Sequence, residues 1–163
     1  MADAITLRPV GESDEGFLYQ VYASTRHEEL APVPWTEAQK ADFLRMQFGA
    51  QSRYYSENYP DAAFLVVLRD GRPAGRLYVD RRPDGIRIID IALLPEHRGA
   101  GIGTALLAEL LAEGDREGKP VSLHVERFNP ALRLYERLGF RRIDDTGVYY
   151  LLERPAGGAD VRP

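Results

Sequence analysis

Arg98-Gly99-Ala100-Gly101-Ile102-Gly103-Thr104 is the stretch of this chain best suited to hold a phosphorylated ligand. Glycine has no Cβ, so a ligand can approach the backbone closely there. At a helix N-terminus the unbonded N–H groups and the helix dipole favour anions, and Arg98 adds a full positive charge. The flanking residues predict a helix that begins at this loop. Ile86, Ile88, Ile89, Ile91, Leu93 and Leu94 make a nearly continuous apolar run, interrupted by Arg87 and Asp90, as expected of a strand covered on both faces. Pro95 ends that strand. Leu106, Leu107, Leu110 and Leu111 then fall on one side of a helical wheel, with Glu109 and Glu113 opposite. Two phosphate-binding devices fail here. A P-loop requires a Lys after its last glycine, and none follows Gly103. A dinucleotide fingerprint requires a third glycine where Thr104 stands, and this strand follows other strands instead of opening a strand–helix–strand unit.

A second segment, Asn129-Pro130-Ala131-Leu132-Arg133-Leu134-Tyr135-Glu136-Arg137-Leu138-Gly139-Phe140, predicts a short helix. Asn129 suits the N-cap and Pro130 the first helical position. Ala131, Leu134, Tyr135 and Leu138 form an apolar stripe, and Gly139 sits where a left-handed C-cap belongs. By itself Tyr135 reads as a core residue of that stripe.

Both segments resemble the signatures of the GNAT superfamily of N-acetyltransferases. The loop matches Arg/Gln-x-x-Gly-x-Gly/Ala at every fixed position. The second segment is similar to N-x-x-A-x-x-L-Y-x-x-x-G-F, with its Ala one place early. The resemblance covers Leu7 to Glu153. It implies an α/β (α+β) GNAT fold, a mixed sheet of about seven strands with about four helices, in which strands four and five are parallel and splay apart to admit the pantetheine arm. It implies acetyl-CoA as cosubstrate, held by Leu93, Arg98, Gly99, Ala100, Gly101, Ile102, Gly103, Thr104, Asn129 and Tyr135, and no metal. It also implies a bulge near Ile91 to Leu93 that frees a backbone N–H, that of Leu93, for the thioester carbonyl. Tyr135 takes the general-acid position near the sulfur.

The chemistry asks for more. An alkyl ammonium with a pKa of about 10 must lose a proton before it attacks. Asp90 is the one carboxylate inside the apolar strand, where burial raises a carboxyl pKa toward a useful range. Three residues separate it from Leu93, so the bulge would have to bring them to one side. His124, Glu126 and a water relay are the alternatives. His97 flanks the loop as a solvated neighbour of the phosphates.

Read in order, Ile5 to Arg8 is a first strand. Phe17, Leu18, Val21 and Tyr22 give a helix ending near Thr25. Arg26 to Trp35 is irregular, either a connector with Trp35 as a lid or a wall of the acceptor pocket. Thr36-Glu37-Ala38-Gln39 is a capping box opening a second helix. Ser52 to Pro60, rich in tyrosine, reads as its end. Ala62–Arg69 and Arg72–Asp80 form a hairpin through Asp70-Gly71, and Pro83-Asp84-Gly85 turns into the apolar strand. Val121–Val125, Phe140–Ile143 and Val148–Glu153 are the remaining strands. Residues 1–154 are expected to form one acetyltransferase domain, and 155–163 a frayed tail.

The 163 residues carry 21 basic and 25 acidic side chains, a net charge of −4, which argues against a nucleic-acid footprint or an anionic membrane partner. No cysteine is present, which excludes disulfides and a thiol nucleophile and fits a reducing compartment, so a cytoplasmic protein is expected. Met1-Ala2-Asp3-Ala4 has no signal-peptide character. His27, His97 and His124 lack ligand spacing. The amine acceptor is a small molecule or a peptide. Glu28, Glu29, Asp144 and Asp145 could line an acidic pocket for it. Two classes stay open, an N-acetyltransferase and a non-catalytic CoA-binding module of the same fold. Homodimers are common in the family, and Trp35 or Tyr149 could serve such a contact.

Overall fold

The computed structural model describes residues 3–157. Among them, seven strands form one mixed sheet in the order β1-β2-β3-β4-β5-β7-β6. The strands are β1 (Ile5–Pro9), β2 (Ala63–Arg69), β3 (Arg72–Arg82), β4 (Gly85–Leu93), β5 (Val121–Glu126), β6 (Arg141–Asp145) and β7 (Tyr149–Arg154). The helices are α1 (Glu15–Ser24), α2 (His27–Leu30), α3 (Glu37–Asn58), α4 (Ile102–Glu117) and α5 (Leu132–Arg137). The chain forms two compact units, one from the described residues up to Leu77 with Ile91–Arg98, the other from Tyr78–Asp90 with the described residues from Gly99 onward.

The first unit holds the helices before the sheet hairpins. Asp70 (φ 51°) and Gly71 (φ 81°) both take left-handed backbone, the conformation a two-residue hairpin turn requires. β1 pairs antiparallel with β2 from Ile5–Arg69 to Pro9–Leu65. The expected capping box is present: Thr36 Oγ1 accepts from the Gln39 N–H (3.1 Å), and the Thr36 N–H donates to Gln39 Oε1 (2.9 Å). The buried cluster is Leu18, Tyr22, Ala23, Leu30, Leu44 and Phe48. The structure corrects the expectation that residues 26–35 are wholly irregular. His27–Leu30 makes one helical turn because Leu30 is apolar and buried while Glu28 and Glu29 stay exposed. With that turn the described residues hold five α-helices, in keeping with the expected fold. The tyrosine-rich segment continues α3 to Asn58, and Tyr54, Tyr55 and Tyr59 touch edge to face with centroids 6.1–6.5 Å apart.

The second unit carries the crossover. β4 and β5 pair in parallel through Ile86–Val121, Arg87–Ser122 and Ile88–Leu123, although β4 runs on to Leu93 and β5 to Glu126. α4 makes the connection, its buried side formed by Ile102, Leu106, Leu107, Leu110 and Leu111. β7 lies between β5 and β6, antiparallel to both. α5 starts at Leu132, later than the expected Pro130. The cause is local: Asn129 Oδ1 accepts from the Ala131 N–H (2.8 Å), and the Leu132 N–H bonds the Asn129 carbonyl (3.1 Å), a turn tighter than an α-helical one. Gly139 (φ 98°) ends the helix as expected, with the Phe140 N–H returning to the Tyr135 carbonyl (3.1 Å). Phe140 itself is buried ahead of β6. Asp115 on α4 accepts from the Arg154 guanidinium (3.0 Å) and from the Gly157 N–H (2.7 Å), tying the end of β7 to the helix. Of the expected frayed tail, 158–163 lie outside the described residues. Among the described residues no helix is long and apolar enough to cross a membrane.

Asp14 shows how a buried charge is satisfied in the first unit. It accepts two bonds from the Arg8 guanidinium (2.8 and 2.9 Å) and one from the Gly11 N–H (2.7 Å). The Arg8 bond, then that of Gly11, holds its pKa down at about 2. A carboxyl depressed in the folded state stabilises the fold at pH above its unfolded value near 4, and that contribution is lost as pH falls toward 2. Asp14→Asn is therefore expected to lower Tm by a few degrees at pH 7 and to flatten the dependence of Tm on pH between about 4 and 2. An unchanged acid limb in calorimetry would contradict this account.

Candidate active site

The glycine loop sits between the end of β4 and the start of α4. Gly99 (φ 78°) and Gly101 (φ 81°) both take left-handed backbone, and Gly101 is the N-cap of α4. The first intrahelical bond runs from the Ala105 N–H to the Gly101 carbonyl (3.0 Å). The N–H groups of Ile102, Gly103 and Thr104 precede it and have no partner within the helix. A Cβ added at Gly99, Gly101 or Gly103 would meet nothing within 4 Å, so the space over all three is open. Ile102, in contrast, is buried and anchors the loop to the core. The donors, the dipole of a 16-residue helix and the open space fit a phosphorylated ligand.

In the first unit the end of β4 is held from several directions. Arg98 Nε donates to the Leu93 carbonyl (3.0 Å), and its Nη2 reaches Ser24 Oγ (3.3 Å) at the end of α1. Part of the Arg98 guanidinium is thus engaged with the protein, where sequence reasoning assigned its charge to phosphate. The Leu94 N–H bonds the Ala74 carbonyl (2.9 Å) on β3. His97 Nδ1 lies 3.3 Å from Arg69 Nη1, a basic partner that sequence spacing gave no means of finding. Trp35 is 41 % exposed and packs edge-on against Phe43, centroids 5.3 Å apart. Glu29 is paired with Arg26 (2.9 Å), which weakens its expected part in an acidic pocket.

In the second unit Tyr135 is buried at 8 % exposure against Phe140, ring centroids 5.7 Å apart. Burial, and after it the negative charge of Asp90, push its pKa up to about 12. Tyr135 and Asp90 are therefore close enough to feel each other, while Asp90 is only half-buried. His124 stands on the other side of β5 from Val121, Leu123 and Val125, which are buried. Its Nδ1 lies 3.2 Å from Arg87 Nη1. Partial burial, then the Arg87 charge, lower its pKa. Glu126 is exposed on the same side of β5. Ser24 and Arg87 are partners of site residues that sequence reading did not single out.

The mixed sheet thus combines a parallel β4–β5 crossover with an open glycine loop at the start of α4. Residues 27–140 match the model of the Acetyltransferase (GNAT) family, and the chain belongs to that family. It is 28% identical over 123 residues to the ribosomal protein bS18-alanine N-acetyltransferase of Haemophilus influenzae, which covers 75% of this chain and 81% of that protein. Over 87 residues it is 38% identical to the mycothiol acetyltransferase of Thermomonospora curvata, covering 52% of this chain and 29% of that protein. The crystal structure of the PaiA N-acetyltransferase of Thermoplasma acidophilum in complex with coenzyme A shares the fold, with a TM-score of 0.70 at 21% identity over 93% of this chain and 99% of that one. So does the ribosomal-protein-S18-alanine N-acetyltransferase of Escherichia coli, with a TM-score of 0.63 at 20% identity over 93% and 94%.

If Arg87 holds His124 neutral, Arg87→Gln should raise the His124 pKa toward the ordinary value of about 6.5. Titration of the histidine ring signals by NMR measures this. An unmoved or lowered value would rule Arg87 out as a cause.

Proposed function

We propose that this chain, through a catalytic domain of residues 1–154, moves the acetyl group of acetyl-CoA onto the N-terminal α-amine of a protein substrate. The glycine loop carries the reading: left-handed Gly99 and Gly101 open the N-terminus of α4 to an anionic ligand, here the pyrophosphate of CoA. The α-amine is preferred over a lysine side chain on chemical grounds. Its pKa of about 8 leaves a useful neutral fraction near pH 7, whereas an amine of pKa about 10 does not. The similarity to a ribosomal protein alanine N-acetyltransferase that spans most of both chains supports the same acceptor class.

In the reaction the amine nitrogen bonds to the acetyl carbonyl carbon, the C–S bond breaks, and the amine's proton goes to a base while the CoA thiolate takes up another. The Ile102, Gly103 and Thr104 N–H groups bind the pyrophosphate. The Leu93 N–H donates to the carbonyl oxygen as it gains charge. Asn129, whose Oδ1 accepts from the Ala131 N–H, contacts the pantetheine arm through its side-chain amide. Asp90 is the base favoured over His124, because its charge reaches Tyr135 while His124 stands on the other side of β5 and faces Arg87. The same pairing tunes the acid. While Asp90 is charged, Tyr135 stays protonated at any working pH. When Asp90 takes the amine's proton that charge vanishes, and Tyr135 becomes a better donor as the thiolate departs.

Tyr135→Phe is expected to cut kcat by about 10²-fold or more, with a much smaller effect on acetyl-CoA affinity. Gly103→Glu puts a carboxylate into open space at a helical position. It should abolish the Tm rise of a few degrees that acetyl-CoA at about 100 times its Kd gives the wild type. Mass spectrometry of peptides beginning in Ala, with and without internal Lys, reads the acceptor. Acetylation confined to lysine side chains, or no product from any α-amine, would overturn the acceptor reading.

A further inference from the structure

We infer that Gly75 is a positioning residue for acetyl transfer: the space above it seats the Ala92–Leu93 peptide and so sets the direction of the Leu93 N–H. The inference rests on the proposed reaction, in which that N–H receives the thioester carbonyl.

Gly75 lies buried in β3, two residues before the end of the first unit's part of that strand. In a regular antiparallel pair, facing Cβ atoms are about 4.5–5.5 Å apart and stand off the sheet, clear of the neighbouring main chain. The arrangement at Gly75 is different. A Cβ built there would overlap the Ala92 carbonyl oxygen, and would lie 2.9 Å from Leu93 Cα and 2.8 Å from Leu93 Cδ2. The first two are backbone atoms, so no rotamer change relieves the contact. Gly75 does not adopt positive φ. Glycine is required here for room and not for an unusual conformation, the mark of a strand position approached by another backbone.

The direction of the N–H follows from the planar peptide. Every peptide bond among the described residues is trans, so the carbonyl oxygen of Ala92 and the N–H of Leu93 point to opposite sides. With the oxygen over Gly75, the Leu93 N–H is turned away from Gly75. The next peptide is fixed by other contacts. The Leu94 N–H bonds the Ala74 carbonyl (2.9 Å), and the Leu93 carbonyl accepts from Arg98 Nε (3.0 Å). The tilt is therefore confined to one peptide unit, held on its downstream side by Arg98 and Ala74 and admitted by the missing side chain of Gly75. A methyl group at position 75 would push the Ala92 oxygen off its seat and turn the N–H with it.

The test uses the full chain labelled with nitrogen-15. In the wild type the Leu93 amide should exchange with solvent at least tenfold faster than the amides of Val66 and Leu77, and acetyl-CoA should protect it at least tenfold. Gly75→Ala should retain a dispersed spectrum and the acetyl-CoA-induced shifts of the Gly101 and Gly103 amides. It should lose the Leu93 response, and kcat should fall by between tenfold and a thousandfold, the range expected when one preorganised donor is removed. KM for acetyl-CoA should stay within about threefold of wild type. A folded Gly75→Ala protein with wild-type kcat overturns the inference. So does slow Leu93 exchange in the free wild type, which would mean that the N–H is paired within the sheet. If Gly75→Ala does not fold, the wild-type exchange result decides: fast exchange then protection supports the seat, slow exchange refutes it. A wild type that neither binds acetyl-CoA nor acetylates any amine removes the proposed reaction instead, and the Leu93 exchange rate in the free protein still reports separately on the seat at Gly75.

Discussion

The parallel pairing of β4 with β5 is the constraint on which the rest depends. It covers only Ile86–Val121, Arg87–Ser122 and Ile88–Leu123. Parallel strands joined by a helix need a right-handed crossover of a dozen residues or more, and α4 supplies it. The β4–β5 ladder ends at Ile88, while β4 remains hydrogen-bonded to β3 on its other edge. Asp90 follows within two residues of the last paired position, and the Ala92–Leu93 peptide shortly after. β4 is fully buried only at Ile86 and Ile88, inside the paired stretch, and half-buried from Ile89 to Leu93.

The glycine loop follows from the same geometry. A strand that ends at Leu93 and a helix that begins at Ile102 leave little chain between them, and two left-handed glycines make the turn. Those conformations aim the first N–H groups of α4 outward instead of folding them into another turn. Arg98 is linked to this arrangement through the main chain. By donating to Leu93 and Ser24 it connects the loop's entry to the end of β4 and to α1.

Much of this was legible in the sequence, because the determinants are local. The Asp70-Gly71 turn, the Thr36 capping box, the α4 stripe and the Gly139 cap each depend on residues a few places apart, and all appear in the structure. What escaped reading depends on distant partners. The pairing of His97 with Arg69, of His124 with Arg87 and of Arg98 with Ser24 joins residues 28, 37 and 74 positions apart. The start of α5 was misplaced because Asn129 makes its bond to Ala131 and tightens the turn before the helix. Gly75 carried one local signal, a lone glycine inside a strand, but only the position of β4 over it gives that glycine a role.

The contact of Asp115 with Arg154 and the Gly157 amide has a practical consequence. It holds the chain at Gly157 near the C-terminal end of α4, and Asp115 lies thirteen residues along the helix from Ile102, about 20 Å at the usual rise. A surface linker, dye or fusion partner joined after Gly157 would thus leave from the opposite end of the helix to the glycine loop. That junction is a sound point for immobilising the enzyme while leaving its glycine loop unobstructed.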